Sequence, residues 1–356
     1  MTERPAQTFV WSDGKRPSLK RPGSIAAWVA FYVTLRLDFI IIFVNNTKSE
    51  GENWNDADLV EATKQAQEAG LGVHWMWWAF SSIRAVEKQL ADLRKLYASV
   101  IPDGVQFDAE EGWDHSDSEI AAVALNDGLE RLNADFDCSP MYSVTAISVY
   151  AKRVFSLRVK YLIEQPMITA GFGQAYLFWN GKTKANGKPH WSQGLPKRPG
   201  VLQRGVTAAW IPYVEDGTLK VYYLGVAAHF QKWPAKFRLP KYLALENSIQ
   251  AFREMRGPHG DMIRGWGSWS AKHIRGRTAL QSVLIDAIDS YPIVFDLQAL
   301  LVEAGYWNSP PDGLMSPQLR RRGRHYMVDR GFAPRRESDT EIVGLLKACL
   351  YMEVER

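Results

Sequence analysis

From residue 37 to residue 178 the chain alternates between short strand-like runs and longer stretches with helical spacing, and this alternation narrows the possible folds more than any other feature. The runs are Leu37–Val44 (LDFIIIFV), Leu71–Phe80 (LGVHWMWWAF), Asp103–Glu111, Ser139–Ser148 and Pro166–Phe178. Between them, Asp56–Ala69, Ser81–Val100, Ser116–Phe136 and Val149–Glu164 repeat apolar residues every three or four positions, as amphipathic helices do. A run that is apolar on both faces is a strand covered from both sides. Strands joined by helices through short connections pair in parallel with right-handed crossovers, which predicts an α/β fold.

The same reading extends in both directions. Phe9–Trp11 is expected as a first strand and Ile25–Leu35 as a first helix. The segment Trp179–Pro212 is rich in Gly, Lys, Pro and Asn and reads as an exposed insertion. Val206–Val214 and Leu219–Phe230 read as two strands joined by a hairpin turn at Glu215-Asp216-Gly217. Tyr242–Met255 is expected as a helix, Asp261–Ala271 as the last strand and Ala279–Ser290 as the last helix. A ring of eight strand–helix units takes roughly 250 residues. The expectation is therefore a (β/α)8 TIM-like barrel over residues 1–292, with an insertion near 179–216. A small three-helix all-α domain follows over 293–356, its helices at Phe295–Ala304, Gln318–Asp329 and Asp339–Met352.

Chemistry concentrates in Asp103-Gly104-Val105-Gln106-Phe107-Asp108-Ala109-Glu110-Glu111. On a strand, alternate side chains share a face, so Gln106, Asp108 and Glu110 project together, opposite Val105, Phe107 and Ala109. Two carboxylates at the end of one strand resist joint ionisation, so the arrangement is costly unless it is hydrated or in use. The plainer explanation is an acidic loop that caps the next helix. Glu111 falls on the other face and is read as such a loop acid.

Composition excludes several alternatives. Cys138 and Cys349 are the only cysteines, so neither a disulfide framework nor a cysteine metal site is expected. No His, Asp and Glu spacing matches a metal motif, His74 and His229 read as core or rim residues, and no cofactor is expected. Ser24–Val44 is long enough to cross a bilayer, yet Arg36 and Asp38 interrupt it, and a helix followed by a buried strand fits better. Met1–Thr8 lacks the layout of a secretory signal, so synthesis in the cytoplasm without a signal peptide is the expectation. A net charge of +4 does not argue for nucleic acid, although Arg320–Arg324 is a basic run able to track phosphates. The chain is also rich in rings, with 14 Trp, 14 Tyr and 15 Phe, and tryptophan offers the flat apolar face on which sugars stack.

The string Asp103-Gly104-Val105-Gln106-Phe107-Asp108-Ala109-Glu110 resembles the catalytic strand of chitinase-like glycoside hydrolases of family 18. It is also similar to the shorter Asp-x-Glu of family 25 lysozymes. Both families cut β-1,4 links beside N-acetylated amino sugars on a barrel of this kind. The resemblance implies Glu110 as general acid and Asp108 as the residue that orients or charge-stabilises the substrate acetamido group. Family 18 carries a further Asp where this chain has Gln106. By the same resemblance Trp266 or Trp269, in the expected last strand, is the floor beneath a sugar. Gln106, on the face of the two acids, and Trp78 and Tyr142, on neighbouring strands, are further candidates for substrate contact.

In the tail, Leu297-Gln298-Ala299-Leu300-Leu301, Gly305-Tyr306 and Asp312-Gly313-Leu314-Met315-Ser316-Pro317 resemble a three-helix peptidoglycan-binding domain. Ser316 stands where that family has Gly, and Arg320–His325 replaces a less charged helix. Together the two resemblances imply a peptidoglycan hydrolase of muramidase or glucosaminidase type, laid out like a phage or phage-like lysin. Its partner would be the glycan strand of the bacterial cell wall. The alternative is a barrel that grips glycan without cutting it, as a component of a phage-like particle.

Overall fold

The computed structural model describes residues 6–12, 24–45, 54–109, 113, 116–146, 156–179, 192–193, 201–231 and 262–269. Beyond 231 it also describes 245, 248–249, 252–253, 255–256, 259, 274, 277, 280–281, 283–285, 298, 301–302, 304–308, 321–323, 325–326 and 329. The strands are β1 (Gln7–Trp11), β2 (Phe39–Asn45), β3 (Gly72–Trp78), β4 (Gly104–Asp108), β5 (Met141–Ala146), β6 (Ile168–Trp179), β7 (Ser192–Gln193), β8 (Val221–Gln231) and β9 (Ile263–Trp269). The helices are α1 (Ser24–Thr34), α2 (Asp56–Glu68), α3 (Ile83–Tyr97), α4 (Ser118–Phe136), α5 (Ser156–Ile163) and α6 (Val201–Glu215).

Eight strands close a parallel ring. β1 to β6 pair in sequence, β6 pairs with β8, β8 with β9, and β9 returns to β1. β7 is a short antiparallel addition to the far end of β6. The fold is thus a (β/α)8 barrel. Local chemistry sets the helix ends. Asn55 accepts the Asp58 amide at the start of α2, Ser82 accepts the Ala85 amide at the start of α3, and Gly70 turns the chain after α2 at φ 76°. Ser24–Val44 divides into α1 and β2, and no described helix is long and apolar enough to cross a membrane.

One expected element differs in kind. Val206–Val214 is not a strand but most of helix α6. Val206, Thr207, Trp210, Ile211 and Val214 are buried while Ala208, Pro212 and Glu215 are exposed, a spacing near 3.6 residues. The supposed hairpin turn is the end of this helix: the Asp216 amide returns to the Pro212 carbonyl and Gly217 takes φ 83°. A parallel neighbour to β6 requires such a crossover, so β8 follows a helix. The stretch 179–216 therefore contains the end of β6, β7 and α6, and its residues 180–191 and 194–200 lie outside the described ones.

Between strands and helices lies the larger apolar layer, including Val105, Phe107, Tyr142, Trp75 and Trp77. Inside the ring, Phe9, Trp11, Phe39, Ile41, Met76, Ala170, Phe172 and Tyr223 form a second cluster. Barrel interiors are usually filled by branched aliphatic residues. This one is filled by rings: Phe9 stacks on Phe39 at 4.9 Å, His74 on Phe39 at 4.2 Å, and Phe172 on Tyr223 at 4.5 Å. Glycines make the space. A Cβ at Gly267 would lie 2.3 Å from the Phe9 ring, and one at Gly225 2.6 Å from the Trp11 indole.

In the tail, Gln298, Leu301 and Val302 are helical, and Gly305 at φ 77° ends that turn. Tyr306 then meets Tyr326 edge-on at 5.3 Å. The boundary expected at 292 and the helix expected over 339–352 lie outside the described residues.

Candidate active site

Strand β4 is buried along its whole length and sends its side chains to two layers. Val105 and Phe107 pack toward the helices, whereas Gln106 and Asp108 face the interior of the ring. The lower interior, near the strand starts, is the aromatic stack. Further along the strands it becomes polar, with Gln106, Asp108, Ser143, Thr145 and Gln174 all buried.

Asp108 is the last residue of β4 and only 3% exposed. Its Oδ1 accepts a hydrogen bond from Gln174 Nε2 at 3.1 Å, reaching over β5 from β6. The same nitrogen donates to Thr145 Oγ1 at 3.0 Å, and Thr145 Oγ1 donates to the Phe172 carbonyl at 3.0 Å. Below Asp108, Trp11 Nε1 donates to Gln106 Oε1 at 2.9 Å. Gln106 Nε2 is buried without a hydrogen-bond partner among the described residues. The neutral amide thus stands between the aromatic stack and the carboxylate.

Trp78 ends β3 in register with Asp108 and is half-buried, the position of a ring beside the mouth. Glu110 lies outside the described residues. Its surroundings on both sides are anchored: the Ala109 amide bonds to the Thr145 carbonyl at 2.9 Å, and the buried Trp113 indole donates to the Arg158 carbonyl at 3.0 Å. Trp269 is the last residue of β9, where its backbone pairs with Ala227 of β8.

Two expected contact residues point elsewhere. Tyr142 faces the helices, where its hydroxyl donates to Asn133 Oδ1 at 2.7 Å and lies 3.3 Å from the Tyr97 hydroxyl. Burial pushes its phenol up to about 12. Thr145 and Ser143 are the residues of β5 that take the interior face. Trp266 also packs outward, against Phe252, because its neighbours Gly265 and Gly267 are the interior positions of β9. Neither ring lines the mouth.

Gln174, Thr145 and Trp11 were not foreseen as part of the site. The available signal was a polar residue at an alternate position within an otherwise apolar strand, as at Gln174 in ITAGFGQAYLFW. Among the described residues no group of three His, Cys, Asp or Glu is placed to hold a metal ion.

The fold and this mouth define a (β/α)8 barrel with a buried carboxylate at the C-terminal end of β4, the end where such barrels carry out their chemistry. No family model and no curated protein sequence matches the chain. Solved structures do. Active domain 2 of the thermostable chitinase from Pyrococcus furiosus is similar with a TM-score of 0.55 and 11% identity, over 81% of this chain and 97% of that one. The endo-beta-1,4-mannanase from Thermotoga petrophila is similar with a TM-score of 0.51 and 8% identity, over 80% of this chain and 76% of that one. A family 18 chitinase from Pseudoalteromonas aurantia gives 0.48 at 14% identity, over 78% and 98%. At such identities the likeness shows the fold, and one barrel supports many chemistries.

Proposed function

We propose that this protein is a glycoside hydrolase that cleaves β-1,4 links of bacterial peptidoglycan, as a muramidase or glucosaminidase. The observation that carries the reading is the buried Asp108 carboxylate at the mouth of the barrel, held from β6, with Glu110 two residues further along the chain. In this reading Glu110 protonates the leaving oxygen, and Asp108 supplies the fixed negative charge beside the reacting centre. Trp78 and Trp269 are the rings on which a sugar would rest. The chitinase and mannanase with similar folds are, by their names, glycan-cleaving enzymes. The amino-sugar and cell-wall specificity rests on the sequence resemblances at 103–110 and 297–317. On this reading the protein is made in the cytoplasm and acts at the cell wall, free or on a phage-like particle.

A second reading, a barrel that binds glycan without cutting it, is favoured by one observation: a neutral Gln106 lies under Asp108 where family 18 has a carboxylate. Purified cell-wall sacculi separate the two. The hydrolase releases new reducing ends, and Glu110→Gln lowers that rate by about 10²- to 10⁴-fold with the melting temperature unchanged. Sacculus binding without reducing-end release by the wild-type protein favours the second reading.

A further inference from the structure

We infer that Gln174 is a positioning residue that fixes the orientation of the Asp108 carboxylate; its catalytic consequence rests on the function proposed above. The two residues are 66 positions apart and meet because β5 pairs with both their strands, which places β6 two strands from β4, with Gln174 2% exposed and Asp108 3%. The direction of each hydrogen bond follows from its neighbours. The Phe172 carbonyl can only accept, so the Thr145 hydroxyl donates its single proton there, at 3.0 Å. Thr145 Oγ1 is then left as an acceptor toward Gln174, which must present its nitrogen. That nitrogen carries two protons, and the second goes to Asp108 Oδ1. Turning the amide over would set its oxygen against both Thr145 Oγ1 and a carboxylate oxygen. The relay from Phe172 through Thr145 and Gln174 therefore has one direction, and it ends on Asp108.

An N–H donor favours the ionised carboxylate over the neutral acid. The other titratable groups facing the interior among the described residues lie at the lower end. These are His74 on β3, buried and uncharged near neutral pH, and Tyr223 on β8, which feels Arg264 and Asp38. Glu110, two residues beyond Asp108, lies outside the described residues. A merely space-filling Gln174 would leave the titration of Asp108 unaffected.

The test follows the Asp108 carboxyl carbon by NMR in full-length protein carrying 13C-labelled aspartate, with the resonance assigned by its loss in Asp108→Asn. In Gln174→Leu the Asp108 titration moves up by about one pH unit or more. In the isosteric Gln174→Glu, two carboxyls within hydrogen-bond distance share a proton, and the pair titrates in two separated steps. On soluble glycan strands prepared from sacculi, kcat of Gln174→Leu falls about tenfold or more with KM little changed, and Gln174→Asn recovers part of it. An Asp108 titration identical to wild type in both variants overturns the inference. Should Gln174→Leu fail to fold, the glutamate variant decides the matter. Should the wild-type protein leave the glycan strands intact, the proposed function fails, while the titration still decides what Gln174 does.

Discussion

The barrel interior has two halves of opposite character on the same eight strands. Its lower half is a buried stack of the rings of Phe9, Phe39, His74, Phe172 and Tyr223. Its upper half is a set of buried polar groups, Trp11 with Gln106 and Gln174 with Thr145 and Asp108, joined by hydrogen bonds. The lower half is held by area and shape, which tolerate no missing ring. The upper half is held by direction, since removing the partner of a buried polar group there costs stability. The contrast assigns stability to one end and the carboxylate to the other.

The most severe way to break the lower half is Phe9→Ala. Phe9 contacts Trp11, Phe39, Phe172 and Tyr223, so its removal opens a cavity that those rings cannot fill. Urea unfolding is expected to show a loss of about 3–5 kcal/mol.

A subtler probe is His74. Burial lowers its pKa from 6.5 to about 4, against a smaller opposing pull from the Asp103 charge. The unfolded chain therefore takes up the proton first as pH falls. The stabilising contribution of His74 is complete above about pH 6.5 and is lost as pH drops through about 4, a difference worth about 3 kcal/mol. His74→Phe keeps the stack on Phe39 and is expected to flatten stability against pH over that window, measured by urea unfolding at several pH values. An unchanged slope would show that the ring is not buried in the folded protein.

The smallest effect sharpens the boundary between the halves. Trp11→Phe removes the donor to Gln106 Oε1 and is expected to cost about 1–3 kcal/mol by thermal unfolding. A further Gln106→Leu should then cost little, because the acceptor that had lost its donor is gone too.

Much of this architecture was legible along the chain. The first five strand–helix units were readable because strands covered on both faces are continuous apolar runs and their helices carry caps such as Asn55 and Ser82. Val206–Val214 was misread because its Val, Ala and Trp residues suit either state, and only burial along α6 shows the helical period. The face shared by Gln106 and Asp108 followed from alternation within β4. Tyr142 and Trp266 could not be placed that way, because nothing local says at which residue the inward face of β5 or β9 begins.

The amino-acid order by itself determined the alternation of elements, the shared face of Gln106 and Asp108, and the glycine-rich β9, since each depends on residues within a few positions of one another. Tertiary pairing decided the rest: closure of the ring sets Gly267 against Phe9, Trp266 turns outward, and β5 brings Gln174 to Asp108. Those outcomes depend on groups brought together from distant strands, where packing and hydrogen-bond direction select among arrangements that are locally equivalent.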